Sequence, residues 1–351
     1  MRLPIRLAAG LQSFMSAVPG PTALEEEASR QDVLAPAARE TLRPAIYLPG
    51  QIDRVTGTRT HYTVESAVRA AVATTITHPA TIAYHFKRAI LLDGVIHVGR
   101  HRHRLSESPL PGCSGEERHL TAAALASSAM GSKYFGHWLR DDCAQYFLAE
   151  AAGTCLCTRR PEFRHAGDYE AAFGQDWTPI DRARIDHLVI FNDYAQNGLK
   201  RARYEVLRAR LRARYRAREG LRWVYLRRGP SGEPREIENE REIAEALTRL
   251  GFATVDVHEA GMQEIVEALM GAEAVVSMEG SHVAHCAFAC PETCALLVLQ
   301  PADRFSPNHR GWTQCLGMRF GFVVGRRGER GYRFSALEIG QTLDRMLKVA
   351  V

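Results

Sequence analysis

The chain reads as an α/β protein with a parallel, doubly wound sheet, and two stretches carry that expectation. From Gly251 to Pro301 the sequence GFATVDVHEAGMQEIVEALMGAEAVVSMEGSHVAHCAFACPETCALLVLQP alternates strand, helix, strand, glycine turn, helix and strand. Strands that alternate with helices at this spacing build parallel sheets. Upstream, Leu221 to Arg227 (LRWVYLR) reads as a strand that opens a second domain. In such sheets ligands bind beyond the carboxyl ends of the strands, so the turn after Val276 is where a substrate is expected.

Within the first stretch, Ala253 to Val257 is a short β-branched run after a glycine. Met262 to Met270 sets Ile265, Val266 and Leu269 on one helical face. Ala274 to Ser277 is a buried strand. Glu279-Gly280-Ser281 is a sharp turn into a helix that stops before Pro291. Cys294 to Leu299 is apolar and too short for a helix, hence a further strand.

The rest of the chain follows in order. Residues 20–40 are rich in Ala and Glu and read as a solvated helix or a loose arm. Ala45 to Leu48 before Pro49-Gly50 reads as a strand and a turn. Ser66 to Thr77 fits helix or strand in its first half. Thr81 to Leu92 and Val95 to Val98 flank Asp93-Gly94, the strongest hairpin signal present. The basic run of His97, Arg100, His101, Arg102, His103 and Arg104 reads as a solvated loop, with an anion site as the alternative.

Glu116 to Ser128 is alanine-rich and leads into KYFGHWLRDDCAQYFLAEAAG. There Leu139, Cys143, Phe147 and Ala151 recur at helical spacing, which predicts an amphipathic helix from near Gly136. His137 and Asp141 stand four residues apart on one face. An imidazole beside a carboxylate suits a general base, and a surface pair or a satisfied buried histidine is the plain alternative.

Ile185 to Asn192 reads as a buried strand, followed by an arginine helix from about Gln196 to Glu219. Between Lys200 and Arg218 nine Lys or Arg face a single acid, Glu205. Leu199, Val206, Leu207 and Leu211 leave only a narrow apolar stripe, so a solvated interdomain helix is expected. Peripheral contact of residues 200–218 with a membrane surface or a polyanion is the second reading. Only Tyr204 and Tyr215 interleave with the charges, so no specific nucleic-acid partner is expected.

Arg228-Gly229-Pro230-Ser231-Gly232 then forms a loop, with Glu236 to Leu250 as a helix and Asn239 at its cap. Arg227 and Arg228 end a strand, where a planar, permanently charged fork suits a diphosphate, with surface arginines as the alternative. Tyr332 to Val351 reads as a strand entry and an amphipathic helix carrying Leu337, Ile339, Leu343 and Leu347. His282, Cys286 and Cys290 align at intervals of four, with His285 and Cys294 nearby. That spacing matches no standard zinc motif. Buried cysteines acting as small hydrophobes are the better account, and no metal site is expected.

Composition sets the outer bounds. The 351 residues suffice for two domains, each with its own core. A hydrophobic content of 46% and a charged content of 24% are ordinary for a globular protein. The net charge is a mild +5, and the eight cysteines form no dense framework. Reduced thiols and a cytoplasmic setting are the expectation. No apolar run reaches the roughly 20 residues that span a bilayer. The N-terminus (MRLPIRLAAGLQSFMSAVPG) has a faint signal-peptide or interfacial character, but Gly10, Gln12 and Ser13 break its apolar core.

Three segments together resemble the family-61 glycosyltransferases, including bacterial members of the DUF563 type associated with capsular polysaccharide biosynthesis. YFGHWLRDD at 134–142 looks like that family's Tyr/Phe-x-His-Trp-x-x-Asp segment. YLRRGPSGEPREIENEREIAEAL at 225–247 is similar to its strand ending in paired arginines before an Asn-Glu helix start. VVSMEGSHVAHCAF at 275–288 resembles its strand, glycine turn and helix in the donor domain. The resemblance covers roughly residues 125–305. It implies a GT-B architecture of two Rossmann-like domains facing a cleft. The expected parts are an arm over 1–40, an acceptor-side domain over 41–195, the basic interdomain helix over 196–219, a nucleotide-sugar domain over 220–335 and a closing helix over 336–351.

The resemblance also implies inverting transfer from a nucleotide sugar to a glycan, lipid-linked glycan or other hydroxyl acceptor, with no cofactor and no metal. Asp141 is the first choice of base and His137 the second. Arg227, Arg228, Asn239, Glu279, Gly280, Ser281 and His282 are expected on the donor, with the helix start after Gly280 offering its N–H groups to the diphosphate. Family members commonly carry a His-Gly-Ala-Gly type turn where this chain has Glu279-Gly280-Ser281-His282. That departure supports the alternative reading, a catalytically degenerate glycan-binding or assembly subunit.

Overall fold

The computed structural model describes residues 4–9, 24–58, 62–105, 116–230 and 235–348. The expectations for residues 10–23, most of the N-terminal segment, and for Ser231-Gly232 lie outside the described residues. The described chain divides into two units, residues 1–38 with 78–195 and residues 39–77 with 196–351.

The first unit is built on a seven-stranded mixed sheet. Its strands are β1 (Arg30–Ala35), β2 (Thr81–Leu92), β3 (Val95–Val98), β4 (His101–Arg104), β5 (Arg118–Leu125), β6 (Thr154–Leu156) and β7 (Arg182–Asn192). The order is β4-β3-β2-β7-β5-β6, and β1 also pairs with β2. The long strand β2 carries two partners on one edge. Its first half pairs antiparallel with β1, and its end turns through Asp93-Gly94 into β3. Asp93 and Gly94 both have positive φ (48° and 79°), the left-handed pair that a two-residue hairpin turn requires.

Two expectations change here. Part of the anticipated arm is the paired strand β1, because Arg30 to Ala35 finds a free edge on β2 for its backbone groups. The basic run after His97 is a hairpin, with β4 laid antiparallel on β3. β5 runs parallel to β7 and β6, so this sheet mixes both directions where a Rossmann-like domain is parallel. Its core gathers Phe86, Leu91, Leu125, Leu156, Ile185 and Leu188.

The second unit holds the parallel sheet the sequence predicts. After α1 (Gly198–Arg214) come β8 (Trp223–Arg227), α2 (Glu240–Arg249), β9 (Ala253–Asp256), α3 (Met262–Met270), β10 (Ala274–Met278), α4 (His285–Ala289), β11 (Ala295–Gln300), α5 (Asn308–Cys315), β12 (Arg319–Val324) and α6 (Ala336–Lys348). The order is β9-β8-β10-β11-β12, every pair parallel. All residues of β10 and β11 are buried, which is why both read as unbroken apolar runs. On one face α2 and α6 close the core of Tyr225, Val276, Leu297, Leu299 and Val323. On the other, α4 packs between α1 and α3.

The earlier part of this unit resolves two open readings. Ser66 to Thr77 splits into a helix, Val64–Val72, capped by the Thr63 side chain, and a strand, Thr75–His78. Ala45 to Leu48 forms only a single bridge, Ile46 with Gly321, extending the sheet beyond β12. A larger correction concerns α1. It is not a solvated helix, since Lys200, Arg203, Tyr204, Leu207, Arg208 and Leu211 are buried. Two long arginine side chains therefore complete a stripe that the leucines alone leave narrow. Among the described residues no helix is long and apolar enough to cross a membrane.

Candidate functional site

Two clusters stand out, one in each unit. In the first, Tyr134 leads into a short helical turn, Phe135–His137, then a π turn, Trp138–Asp142, then the α-helix Cys143–Ala152. The Cys143 N–H reaches back five residues to the Trp138 carbonyl. Such single-turn π insertions recur at functional sites because the extra residue re-aims side chains. Here consecutive aspartates serve different ends. Asp142 turns inward, where its carboxylate accepts the Ser128 N–H (3.0 Å) and hydroxyl (2.7 Å). Gly131 is packed so closely on Asp142 that a Cβ there would overlap the carboxylate. That fixes the loop before the helix.

Asp141 turns the other way. Its Oδ2 lies 2.8 Å from His137 Nδ1, and Arg140 donates to both of its oxygens, from Nε to Oδ1 (3.2 Å) and from Nη2 to Oδ2 (2.7 Å). Both members of the pair are about a quarter exposed, at 26% for the His137 side chain and 23% for Asp141. The predicted pair therefore exists as a contact. Arg140 Nη2 also lies 3.2 Å from His137 Nδ1, and in the tautomer that gives Nδ1–H to the carboxylate the lone pair of the imidazole sits on Nε2. Arg140, which the sequence did not flag, supplies charge to a carboxylate that already serves the imidazole.

The second cluster stands at the carboxyl ends of β8 and β10. The sheet order reverses between these two strands, the point at which a doubly wound sheet opens a crevice. Arg228 follows β8, and Glu279-Gly280 follows β10. Gly280 is extended (φ 162°, ψ 171°) and leads into a 3₁₀ turn, Ser281–Ala284, before α4. A Cβ on Gly280 would lie 2.9 Å from His282 Nδ1 and 3.2 Å from Arg228 Nε, so the structure brings Arg228, Gly280 and His282 together.

His282 is buried, and its Nε2 lies 2.8 Å from the Ser277 hydroxyl. Burial first, then the positive charge of Arg228, His285, His309 and Arg235, holds the imidazole well below its usual range. It is neutral at physiological pH. Glu279 is engaged by Arg235, whose Nη1 lies 3.1 Å from Oε2 and donates to the Glu279 carbonyl at 3.0 Å. His309 Nε2 stands 3.8 Å from the other carboxylate oxygen. His309 is delivered by the loop after β11, where the buried Gln300 side chain donates to the Ser306 carbonyl and accepts its N–H.

Other expected donor residues are occupied differently. Arg227 pairs with Glu240 (2.9 Å) and Asp256 (3.4 Å) at the edge of the sheet. The Asn239 side chain makes no helix cap. It donates to the Phe334 carbonyl and accepts the Phe334 N–H, pinning the entry to α6. That two-bond fit to an extended backbone outcompetes the capping bond. Cys286, Cys290 and Cys294 are buried thiols, the last two with their titration pushed well upward. Among the described residues no three His, Cys, Asp or Glu side chains are grouped to hold a metal ion.

Sequence reasoning missed Ser277, Arg235, His309 and Arg140. Only Ser277 left a usable signal, as the single polar residue within an apolar strand.

Comparison with known proteins adds one substantive finding. Residues 135–296 match the family model described as Glycosyltransferase 61, which supports a family-61 glycosyltransferase. The matched span contains both clusters' central residues, His137 and Asp141 as well as Arg228 and His282. No curated protein matches the chain. Among solved structures, a flavodoxin-like domain from Synechococcus sp. is similar at 14% identity, covering 35% of this chain and 93% of that one, with a TM-score of 0.25. A metal-soaked flavodiiron core from Synechocystis sp. PCC6803 is similar at 13% identity, covering 61% of this chain and 48% of that one, also with a TM-score of 0.25.

Proposed function

We propose that this protein is an inverting, metal-independent glycosyltransferase that moves a sugar from a nucleotide-sugar donor to a hydroxyl of a glycan or lipid-linked glycan. In this reading the two units act as the halves of a GT-B enzyme in the synthesis of a surface polysaccharide. The observation that carries it is the placement of Arg228 beside Gly280 and His282 at the strand-order reversal of the parallel sheet. A permanently charged guanidinium there suits the diphosphate of a nucleotide sugar.

The chemistry assigned to the residues is as follows. His137 Nε2 takes the proton of the acceptor hydroxyl, with Asp141 holding Nδ1–H and stabilising the imidazolium that forms. The acceptor oxygen forms its bond to the anomeric carbon as the bond to the diphosphate oxygen breaks. The nucleoside diphosphate leaves with that electron pair, and Arg228 offsets the developing charge. This order of roles reverses the one read from sequence, because Arg140 and His137 already engage both oxygens of the Asp141 carboxylate. In this reading the protein acts in the cytoplasm. The exposed end of α1, with Arg212 and Arg214, and the exposed Arg216 and Arg218 that follow it offer peripheral contact with an anionic membrane face.

A thermal-shift panel of nucleoside diphosphates and nucleotide sugars, with and without EDTA, tests this reading. Stabilisation by one nucleotide class that survives EDTA is expected. A flat panel combined with tight glycan binding would instead establish the non-enzymatic alternative.

A further inference from the structure

We propose that Tyr194 is the platform for the acceptor, one face of its phenol ring stacking on a neutral sugar ring of the glycan. The inference rests on the transferase reading above and adds how the acceptor is held. Its basis is where the sheet of the first unit ends. β5 and β7 are parallel neighbours, with Ala124 paired to Val189. Both strands therefore finish on the same side of the sheet, about 4.8 Å apart. β5 leads into Ser128, which holds Asp142 and so fixes the turn that carries His137 and Asp141. Counted from the Ala124–Val189 pair, Asp193 comes at the same step as Ser128, and Tyr194 follows it.

Tyr194 is 75% exposed, the most open of the described tyrosines. Among the described residues nothing hydrogen-bonds to it or stacks on its ring. Tyr134, by contrast, lies 6.2 Å from the His137 ring and has the Lys133 ammonium over its own face, 5.5 Å from the centroid. Partial shielding of the Tyr194 hydroxyl first, then the negative charges of Asp141, Asp142 and Glu25, raise its phenol above the ordinary value near 10.0. The ring thus stands within the field of the Asp141 carboxylate. A lone surface tyrosine needs no explanation, but one placed beside a candidate base has an obvious use. The charges also choose between the two ligands that stack well on a phenol. A nucleotide base brings phosphates, which these carboxylates repel. A neutral pyranose brings none, and its slightly positive C–H groups meet the negative face of the ring while its hydroxyls stay in water. An open platform needs no enclosing pocket. Stacking there restricts how an acceptor hydroxyl approaches His137 Nε2.

Fluorine-19 NMR of protein labelled with 3-fluorotyrosine reads this ring directly, its signal assigned by its loss in Tyr194→Phe. Asp141→Asn should lower the pH at which the Tyr194 signal titrates, because a negative neighbour is removed. A titration that does not move would overturn the placement and the inference with it. The ligand probes are methyl glycosides and short oligosaccharides of glucose, galactose, mannose and xylose. At least one is expected to shift the Tyr194 signal, and a panel that leaves it unmoved would overturn the inference. For a saccharide that binds, Tyr194→Ala should raise the dissociation constant about tenfold, while Tyr194→Phe, which keeps the ring, should raise it less than about threefold. No loss in Tyr194→Ala, or equal losses in both variants, would reject stacking on the ring. The nucleotide panel described above keeps the two readings apart. Nucleotide binding with no saccharide shift rejects the inference and leaves the transferase reading intact. A saccharide shift with no nucleotide binding rejects the transferase reading and leaves Tyr194 as the glycan platform.

Discussion

His137 and Asp141, one helical turn apart, form a 2.8 Å contact between Nδ1 and Oδ2, and Arg140 closes on the same carboxylate. In the proposed mechanism the imidazole is the proton acceptor and the carboxylate its orienter. His137→Ala should lower turnover by about 10²- to 10⁴-fold, the usual contribution of a general base. Asp141→Asn should also stop most turnover, because an amide facing Nδ1 favours the wrong tautomer. Neither change should alter donor affinity, which a binding assay on the same variants checks. Wild-type turnover in Asp141→Asn would reject this assignment.

The two neighbouring arginines give a sharper test of the donor site. Arg228 stands by Gly280, whereas Arg227 is held by Glu240 and Asp256. Arg228→Ala should weaken a nucleoside diphosphate by about 10- to 100-fold, the range for a charge-assisted contact to phosphate. Arg227→Ala should change that affinity by less than about threefold, since its side chain is about half exposed and already paired with carboxylates. Equal losses in the two variants would place the diphosphate elsewhere.

Much of the second unit was legible because its strands are buried on both faces. An unbroken apolar run such as Ala295 to Gln300 has few other homes, and Met262 to Met270 matches its predicted helix residue for residue. The His137–Asp141 pair was legible from helical spacing alone. The π turn that holds Asp141 and Asp142 was not, since the contacts that fix Asp142 come from Ser128 and Gly131, which precede the helix. The mixed sheet escaped for a similar reason. Alanine-rich Arg118 to Leu125 has weak strand character of its own and becomes β5 by pairing with β7. The burial of Arg208 had no local signal either, because it is decided by the end of α4, some eighty residues away.

That arginine carries a stability prediction. The Arg208 side chain is fully buried, and its Nη1 and Nη2 donate to the carbonyls of Ala287 (3.0 Å) and Cys290 (2.7 Å). These are the open carbonyls at the carboxyl end of α4, which the guanidinium fork satisfies together. Arg208→Met fills similar volume but leaves both acceptors unpaired in a dry environment. A loss of about 2–4 kcal/mol is expected, seen as a lower urea midpoint at unchanged m-value. Arg208→Lys should recover little, because one ammonium cannot span both carbonyls in the same geometry.

Acid sensitivity should be traceable to a second arginine. Arg54 meets Glu338 at the start of α6 through two bonds, Nη1 to Oε2 (2.8 Å) and Nη2 to Oε1 (2.5 Å). The side-chain hydrogen bond to Arg54 is the main cause that holds the Glu338 carboxyl below its ordinary value near 4.5, against the opposing effect of partial burial. As pH falls, the unfolded chain therefore takes up this proton before the folded one does. The pair's contribution is present above about pH 4.5 and is lost as pH drops through the depressed folded value. At pH 7 Glu338→Gln should cost about 1–2 kcal/mol, given that both side chains remain partly in water. Urea titrations at pH 7 and pH 3 should show the gap between wild type and Glu338→Gln narrowing on acidification. A gap that stayed constant would mean that the glutamate acts through its shape and packing and that its charge contributes nothing.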